Sequence, residues 1–228
     1  MKQLKWQFVL LSKNNILAIS VVVTLIYGLI LFFFKDLGNL EKILVSIVLN
    51  DPSVIGYFFI ALSFYSEMRQ GILPAIFVSP VSIHQILLAK IISLSVVGTL
   101  CATGLVISVK GFNFDMTAYL AGAAGVCVLS TLLGLIMLTF ASEFLKFAFI
   151  SVPLFLIFVT IPMLQYLGAI DLCIFKYMFP LQGSIGLIDK AVSGTAINIW
   201  YSIVSAIVLI PLFYLVSYNM FVKKIVRK

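Results

Sequence analysis

The chain has 228 residues, of which 63% are hydrophobic and only 10% charged, and its mean hydropathy is +1.21. Soluble domains cover themselves with roughly a quarter charged residues, so this composition excludes an ordinary soluble protein and points to one whose solvent is lipid. The formal net charge of +7 would suggest nucleic acid as a partner in a soluble chain; in an apolar one, the placement of the basic residues decides its meaning.

Crossing about 30 Å of hydrocarbon at 1.5 Å per residue takes roughly 20 residues of helix. Residues 1–13 set Lys2, Lys5 and Lys13 among Leu4, Trp6, Phe8, Val9 and Leu11, which predicts a short amphipathic helix lying in the cytoplasmic interface with Trp6 as an anchor. A first span follows at 16–34. Its end, Leu31-Phe32-Phe33-Phe34, is too bulky for a small-residue cleavage site, so the segment is expected to be retained rather than removed as a signal peptide.

The second span is read at 52–66, with Asn50-Asp51-Pro52 as a helix cap followed by a first-turn proline. Such a helix reaches only about 22 Å. Either Asp51 then lies below the outer surface in a funnel, or 44–49 forms a short outer helix dipping into the interface. The remaining spans are placed at 86–109, 116–140, 147–163 and 196–221, giving a six-span, all-α membrane protein with a single domain over 1–228. In the fourth span, Gly122 and Gly125 among alanines predict close helix packing, and Pro153 predicts a kink in the fifth. Residues 164–195 are too long for a simple loop and too often broken by glycine and proline for a full span, so short outer re-entrant helices are expected there.

An even number of spans puts both termini on one side. Lysines and arginines at both ends of the chain, with Arg69, Lys90 and Lys146, gather on that side against only Glu67 and Glu143. On the other side Lys35, Lys42, Lys110, Lys176 and Lys190 are balanced by Asp36, Glu41, Asp51, Asp115, Asp171 and Asp189. Positive charge marks the cytoplasmic side, so the chain is expected in the cytoplasmic (inner) membrane, multi-pass, with both termini in the cytoplasm. The net charge is then a topology signal with no nucleic-acid partner. Cys101, Cys127 and Cys173 share no metal-type spacing and read as packing residues, Cys173 alone lying in the outer segment.

The chemistry the sequence lacks narrows the function. There is no Gly-rich loop ending in Gly-Lys-Ser/Thr, one histidine, and no carboxylate pair at short spacing within a span, so no enzyme, bound cofactor or metal site is expected. No span as placed carries a charge near its middle, which argues against an ion-coupled transporter. The energy for any transport must then come from outside the chain. Between the second and third spans, Glu67-Met68-Arg69-Gln70-Gly71 is a polar turn leading into a short apolar helix. Ser79-Pro80 then gives a cap and first-turn proline, and Ser82 with Gln85 has the form of a capping box. The product is a compact amphipathic elbow at the cytoplasmic face.

In these residues the chain resembles the six-span permeases of the ABC-2 type, whose second and third spans are joined by a coupling helix that fits a cleft in a separate ATPase. Glu67, Gly71, Ser79-Pro80-Val81 and Lys90 carry the likeness, and Leu49-Asn50-Asp51-Pro52 beside Gly56-Tyr57-Phe58-Phe59-Ile60 is similar to the fluoroquinolone-export permease group. The resemblance implies half of an ATP-driven exporter: a homodimer, or a heterodimer with a sister permease, embedded in membrane lipid, with ATP and Mg bound by cytoplasmic ABC ATPase subunits. It implies that Glu67 and Arg69 orient the elbow, that Ser79, Pro80 and Val81 shape its tip, that His84 and Gln85 touch the ATPase, and that Gly71 belongs with them to the ATPase-coupling residues. Asp51, Phe58, Phe59 and Tyr65 are candidates for the substrate pathway of a drug, lipid or peptide.

Plainer readings stay open for each. Glu67, Arg69 and Lys90 also read as interfacial charges satisfying one another, His84 as a solvated surface residue, and Asp51 as a cap. The aromatic residues also read as lipid-facing or packing groups. At the level of the whole protein, the alternatives to the exporter subunit are an ATPase-independent channel or transporter, a haem-exporter-type permease, and a non-transporting scaffold or immunity protein.

Overall fold

In the computed structural model, residues 2–33, 40–72, 81–196 and 198–226 are described, and among them every regular element is helical. The chain-order elements are α1 (Lys2–Lys13), α2 (Ile16–Phe33), α3 (Leu40–Arg69), α4 (Ile83–Lys110), α5 (Met116–Leu138), α6 (Phe144–Phe155), α7 (Ile161–Leu167), α8 (Gln182–Ser193) and α9 (Ile199–Phe221). A π-helical stretch, Leu156–Thr160, joins α6 to α7. A 3-10 helix spans Cys173–Met178, and a second π-helical turn, Val222–Val226, follows α9.

Among the described residues, six helical segments are long and apolar enough to cross a membrane: α2, α3 from Glu41, α4, α5, the joined Phe144–Leu167 segment, and Ile199–Ile225. Hydrocarbon offers no partner to a backbone N–H or C=O, and a helix satisfies both within itself. Successive spans run in opposite directions. One end of the bundle therefore gathers α1, the last turn of α3, the start of α4 and the 139–143 turn, and the other gathers the α4–α5 turn with α7 and α8.

α3 is the centre. It packs against α2, α4, α5, α6, α7 and α8, while α2 and α9 lie outside with Val22, Leu25, Leu29, Trp200, Ile207 and Val208 exposed. Small residues bring the backbones together. A Cβ placed at Gly56 would lie 2.6 Å from the Cys127 carbonyl oxygen, and one at Gly134 would collide with the Tyr57 carbonyl. Gly122 makes the same kind of seat for α8, where a Cβ would come within 2.9 Å of the Ser184 carbonyl oxygen. The packing expected of the Gly122–Gly125 stretch thus has a specific partner in α8.

Two elements depart most from their predicted bounds. α3 begins at Leu40 rather than near residue 52 and runs unbroken through Pro52, so Asn50-Asp51-Pro52 is not a helix start. The reason is packing: Leu44, Val45, Val48 and Leu49 are fully buried against Ala123, Val126 and Ile185, and that apolar face holds the helix together across a proline that removes one backbone bond. Ser53 Oγ donates to the Leu49 carbonyl at 2.6 Å on this stretch. The longer helix places Asp51 well inside a spanning segment, which corrects the expectation that no span carries a charge near its middle. The fifth span extends from 144 to 167, and past Pro153 the chain widens into the π turn of Leu156–Thr160 before resuming as α7.

At the end away from the termini, polar contacts hold α8 in place. Lys110 Nζ bonds Glu41 Oε1 at 2.5 Å and also donates to the Val192 carbonyl, while Asp189 accepts from the Tyr166 hydroxyl at 2.7 Å and from Thr195 at 2.6 Å. Asp115 caps α5, accepting from the Thr117 hydroxyl and from the Thr117 and Ala118 amides. The Thr117 hydroxyl bond, with the amide of Ala118, holds the Asp115 carboxyl below its ordinary range. A lowered folded value means that the cap's contribution is complete above the ordinary carboxylate range and is lost only as pH falls through that lowered value.

Replacing Gly134 by alanine is expected to lower stability by about 1–3 kcal/mol through overpacking against Tyr57, whereas Gly104→Ala, with open space around its Cβ position, is expected to be neutral or slightly stabilising. Thermal unfolding of both variants in one detergent measures the difference. Similarly, Asp115→Ala should reduce the melting temperature at neutral pH, and its deficit should disappear only in acid below the ordinary carboxylate range.

Candidate functional site

Glu67 lies in the last turn of α3 and Lys90 in the second turn of α4, and both side chains are buried, at 0% and 1% exposure. Lys90 Nζ forms an ion pair with Glu67 Oε1, donates to Ser63 Oγ at 2.7 Å, and stands 4.5 Å from the centre of the Phe64 ring. Glu67 Oε2 has no hydrogen-bond partner among the described residues. The pair ties together the two helices whose ends form the elbow. Removing two charges from water costs several kcal/mol each, and only a close, fully bonded partner offsets that cost.

Beyond Glu67 the chain turns outward. Arg69 and Gln70 are exposed, and Gly71 takes φ +67°, a left-handed conformation that ends α3 and that other residues enter only with strain. Gln70 Nε2 donates to Asn14 Oδ1 at 2.9 Å, linking the end of α3 to the corner between α1 and α2. Ser79 and Pro80, expected at the elbow's tip, lie outside the described residues. Val81 is half-buried. Ser82 caps α4, accepting from the Gln85 amide at 3.4 Å. His84 and Gln85 are exposed at this end, and the Tyr214 hydroxyl of α9 lies 2.5 Å from Nδ1 of His84, whose ring stands edge-on to Tyr214 and Tyr218.

A second polar cluster lies deeper in the bundle. Asp51 is fully buried; Oδ2 accepts from the Thr24 hydroxyl at 3.2 Å, and Oδ1 has no partner among the described residues. Beside it, Asn50 Nδ2 donates to the Tyr27 hydroxyl at 3.2 Å. Thr24 also lines a cavity of about 580 Å³ between α2 and α4, walled by Leu25, Gly28, Leu29 and Leu105. The aromatic candidates are elsewhere. Phe58 packs edge-on to Tyr57 and Phe147 and lies 5.3 Å, centre to centre, from Phe155, while Phe59 is buried and the Tyr65 hydroxyl donates to the Ala141 carbonyl at 3.1 Å. Phe58 and Tyr65 thus join α3 to the fifth span, a different part of the bundle from the Asp51 cluster.

Of the sequence candidates, the structure brings Glu67 together with Lys90 at the elbow's root and gathers His84, Gln85 and Ser82 at the start of α4. It adds Ser63, Phe64 and Asn14 to that end, and Thr24 to Asp51. Ser63 has a local signal, since it precedes Glu67 by four residues and so shares its helix face; Thr24 and Asn14 have none. No group of three His, Cys, Asp or Glu among the described residues is placed to hold a metal ion.

A family model described as the fluoroquinolones export permease protein family matches residues 1–228. Comparison with curated proteins gives no match.

Lys90→Met, which leaves Glu67 buried without its cation, is expected to destabilise the protein by about 3–5 kcal/mol, and the double change Glu67→Gln with Lys90→Met should recover a large part of that loss. Unfolding midpoints for the two singles and the double close the cycle; simple additivity would show that the pair does not act as a unit.

Proposed function

The chain belongs to the fluoroquinolones export permease protein family, and on that premise we propose that it is the membrane subunit of an ABC-2 type exporter, driven by separate cytoplasmic ATPase chains. The observation that supports this most is the buried Glu67–Lys90 pair at the root of the elbow. A segment that receives a push must pass it to two spans as one body, and an ion pair locked inside the junction joins α3 and α4 in that way. The exposed Arg69, His84 and Gln85, with Ser79, Pro80 and Val81, form the docking face. Glu67 and Gly71 position it from behind.

In this reading the whole of 1–228 is one permease domain, and two such chains, identical or paired with a sister permease, enclose the pathway. ATP and Mg are bound and hydrolysed by the partner ATPase, so the chain itself is a transport subunit and not an enzyme. α1 lies in the cytoplasmic interface, both termini are cytoplasmic, and α8 with the Cys173–Met178 turn forms the outer re-entrant gate. The protein sits in the cytoplasmic membrane and exports an amphipathic drug, with the fluoroquinolones of the family's description as the first class to test.

Gentle purification of the tagged protein from its native membrane is expected to bring down a soluble ATPase in stoichiometric amount. A clean complex containing this chain alone would overturn the reading in favour of an ATPase-independent channel or scaffold. Within the complex, Pro80→Ala and Gln85→Ala should each lower transport-coupled ATP hydrolysis several-fold while the protein remains folded; unchanged coupling in both would remove the elbow assignment.

A further inference from the structure

A buried carboxylate with only one neutral donor is an unfinished arrangement. Asp51 is fully buried in α3, receives a single hydrogen bond from Thr24, and keeps its other oxygen unpartnered among the described residues. No described lysine or arginine pairs with it. An ionised group in such a place is stabilised by a cation, and intramembrane acids of this kind generally mark the route of one.

The neighbouring space fits a particular cation. Thr24 is half-buried and faces two ways: its hydroxyl proton goes to Asp51 Oδ2, while the residue lines the cavity of about 580 Å³ between α2 and α4. With its proton committed to the carboxylate, the hydroxyl oxygen is left as an acceptor. Most of the other walls, Leu25, Leu29, Leu31, Phe32 and Leu105 among them, are apolar; Ser108 is the other polar side chain, its proton given to the Leu105 carbonyl at 2.7 Å, so Thr24 is the acceptor backed by a negative charge in a largely hydrocarbon space. The volume is that of a drug-sized ligand. A hydrated metal ion would find too few oxygens here.

We propose that this cavity binds a protonated amine carried on an apolar body: the ammonium donates to Thr24 Oγ1, whose own proton is held by Asp51, and the apolar part fills the space between α2 and α4. Asp51 is thus a positioning residue that orients Thr24 and supplies the counter-charge from behind it. The inference rests on the export reading for its biological meaning, since it names the class of substrate, but the binding itself requires no ATPase.

The test uses the full chain in lipid nanodiscs, with empty nanodiscs as the blank and two fluorescent probes: dansylcadaverine, a primary ammonium on an apolar dye, and its neutral N-acetyl derivative. Dansylcadaverine is expected to bind saturably and at least about tenfold more tightly than the acetylated probe, the range for a hydrogen bond to a charged group. Asp51→Asn should abolish that preference while leaving the weak binding of the neutral probe unchanged. Gly28→Leu, whose new side chain would grow into the cavity from a position where a Cβ meets only Leu105 Cδ2 at 3.7 Å, should weaken both probes. It leaves Asp51 intact, and so decides the matter if Asp51→Asn fails to fold. No saturable binding, equal affinity for the two probes, or an unchanged affinity for dansylcadaverine in either folded variant would overturn the site. These results are independent of ATPase co-purification, so failure of the site and failure of the export reading remain distinguishable.

Discussion

The approach of α3 to α5 at Gly56 and Gly134 is the constraint on which the rest of the bundle depends. In lipid, apolar burial does not drive one helix against another, because hydrocarbon tails are as apolar as leucine; attraction comes from close packing and from polar contacts. Where a Cβ would collide with a facing carbonyl, two backbones can lie in contact and fix both the rotation and the register of the helices. Once α3 is set in this way, its buried face points Asp51 toward Thr24 of α2 and Glu67 toward Lys90 of α4. α8 joins the same assembly through its own glycine contact on α5.

α3 consequently carries the chain's two costly groups, and their settings differ. Glu67 is met by a lysine whose ammonium is also held by Ser63 and stands against the face of Phe64, so that, although Glu67 Oε2 has no partner among the described residues, its charge is paired at the end where the polypeptide leaves the bundle. Asp51 is met by one hydroxyl. The Glu67–Lys90 pair serves rigidity, since a helix junction that carried unpaired charges would open to water. The unfinished one has the features of a place where a charge arrives from outside, next to the largely apolar cavity between α2 and α4. An exporter needs both properties, a stiff connection to its source of energy and a site that favours the cargo, and one helix links the two.

The outer end follows the same logic with weaker interactions. Lys110 ties α8 to α4 and the Asp189–Tyr166 bond ties it to α7 through contacts that are partly exposed, and surface contacts of that kind are each worth little. What fixes α8 on α5 is the close approach at Gly122 and the burial of Ile185 and Ile188, to which these polar contacts add little.

The class of protein, the six spans and the position of the polar turn between the second and third were all legible in the sequence, because length, hydropathy and cap residues are local properties that the membrane reads segment by segment. The close packing at Gly122 and the disturbance at Pro153 were legible for the same reason. The continuity of α3 through Asn50-Asp51-Pro52 was not, since a cap motif and a helix interior there differ only in whether Leu44, Val45, Val48 and Leu49 find a buried surface on other helices. Nor was the pairing of Thr24 with Asp51, and although Glu67 and Lys90 could be read as charges satisfying one another, that both are fully buried was not visible either; each pair is separated by more than twenty positions in the chain. Which residues meet across helices depends on how each helix is rotated about its axis, and that rotation is set by backbone contacts at single glycines, which only the assembled tertiary structure brings together.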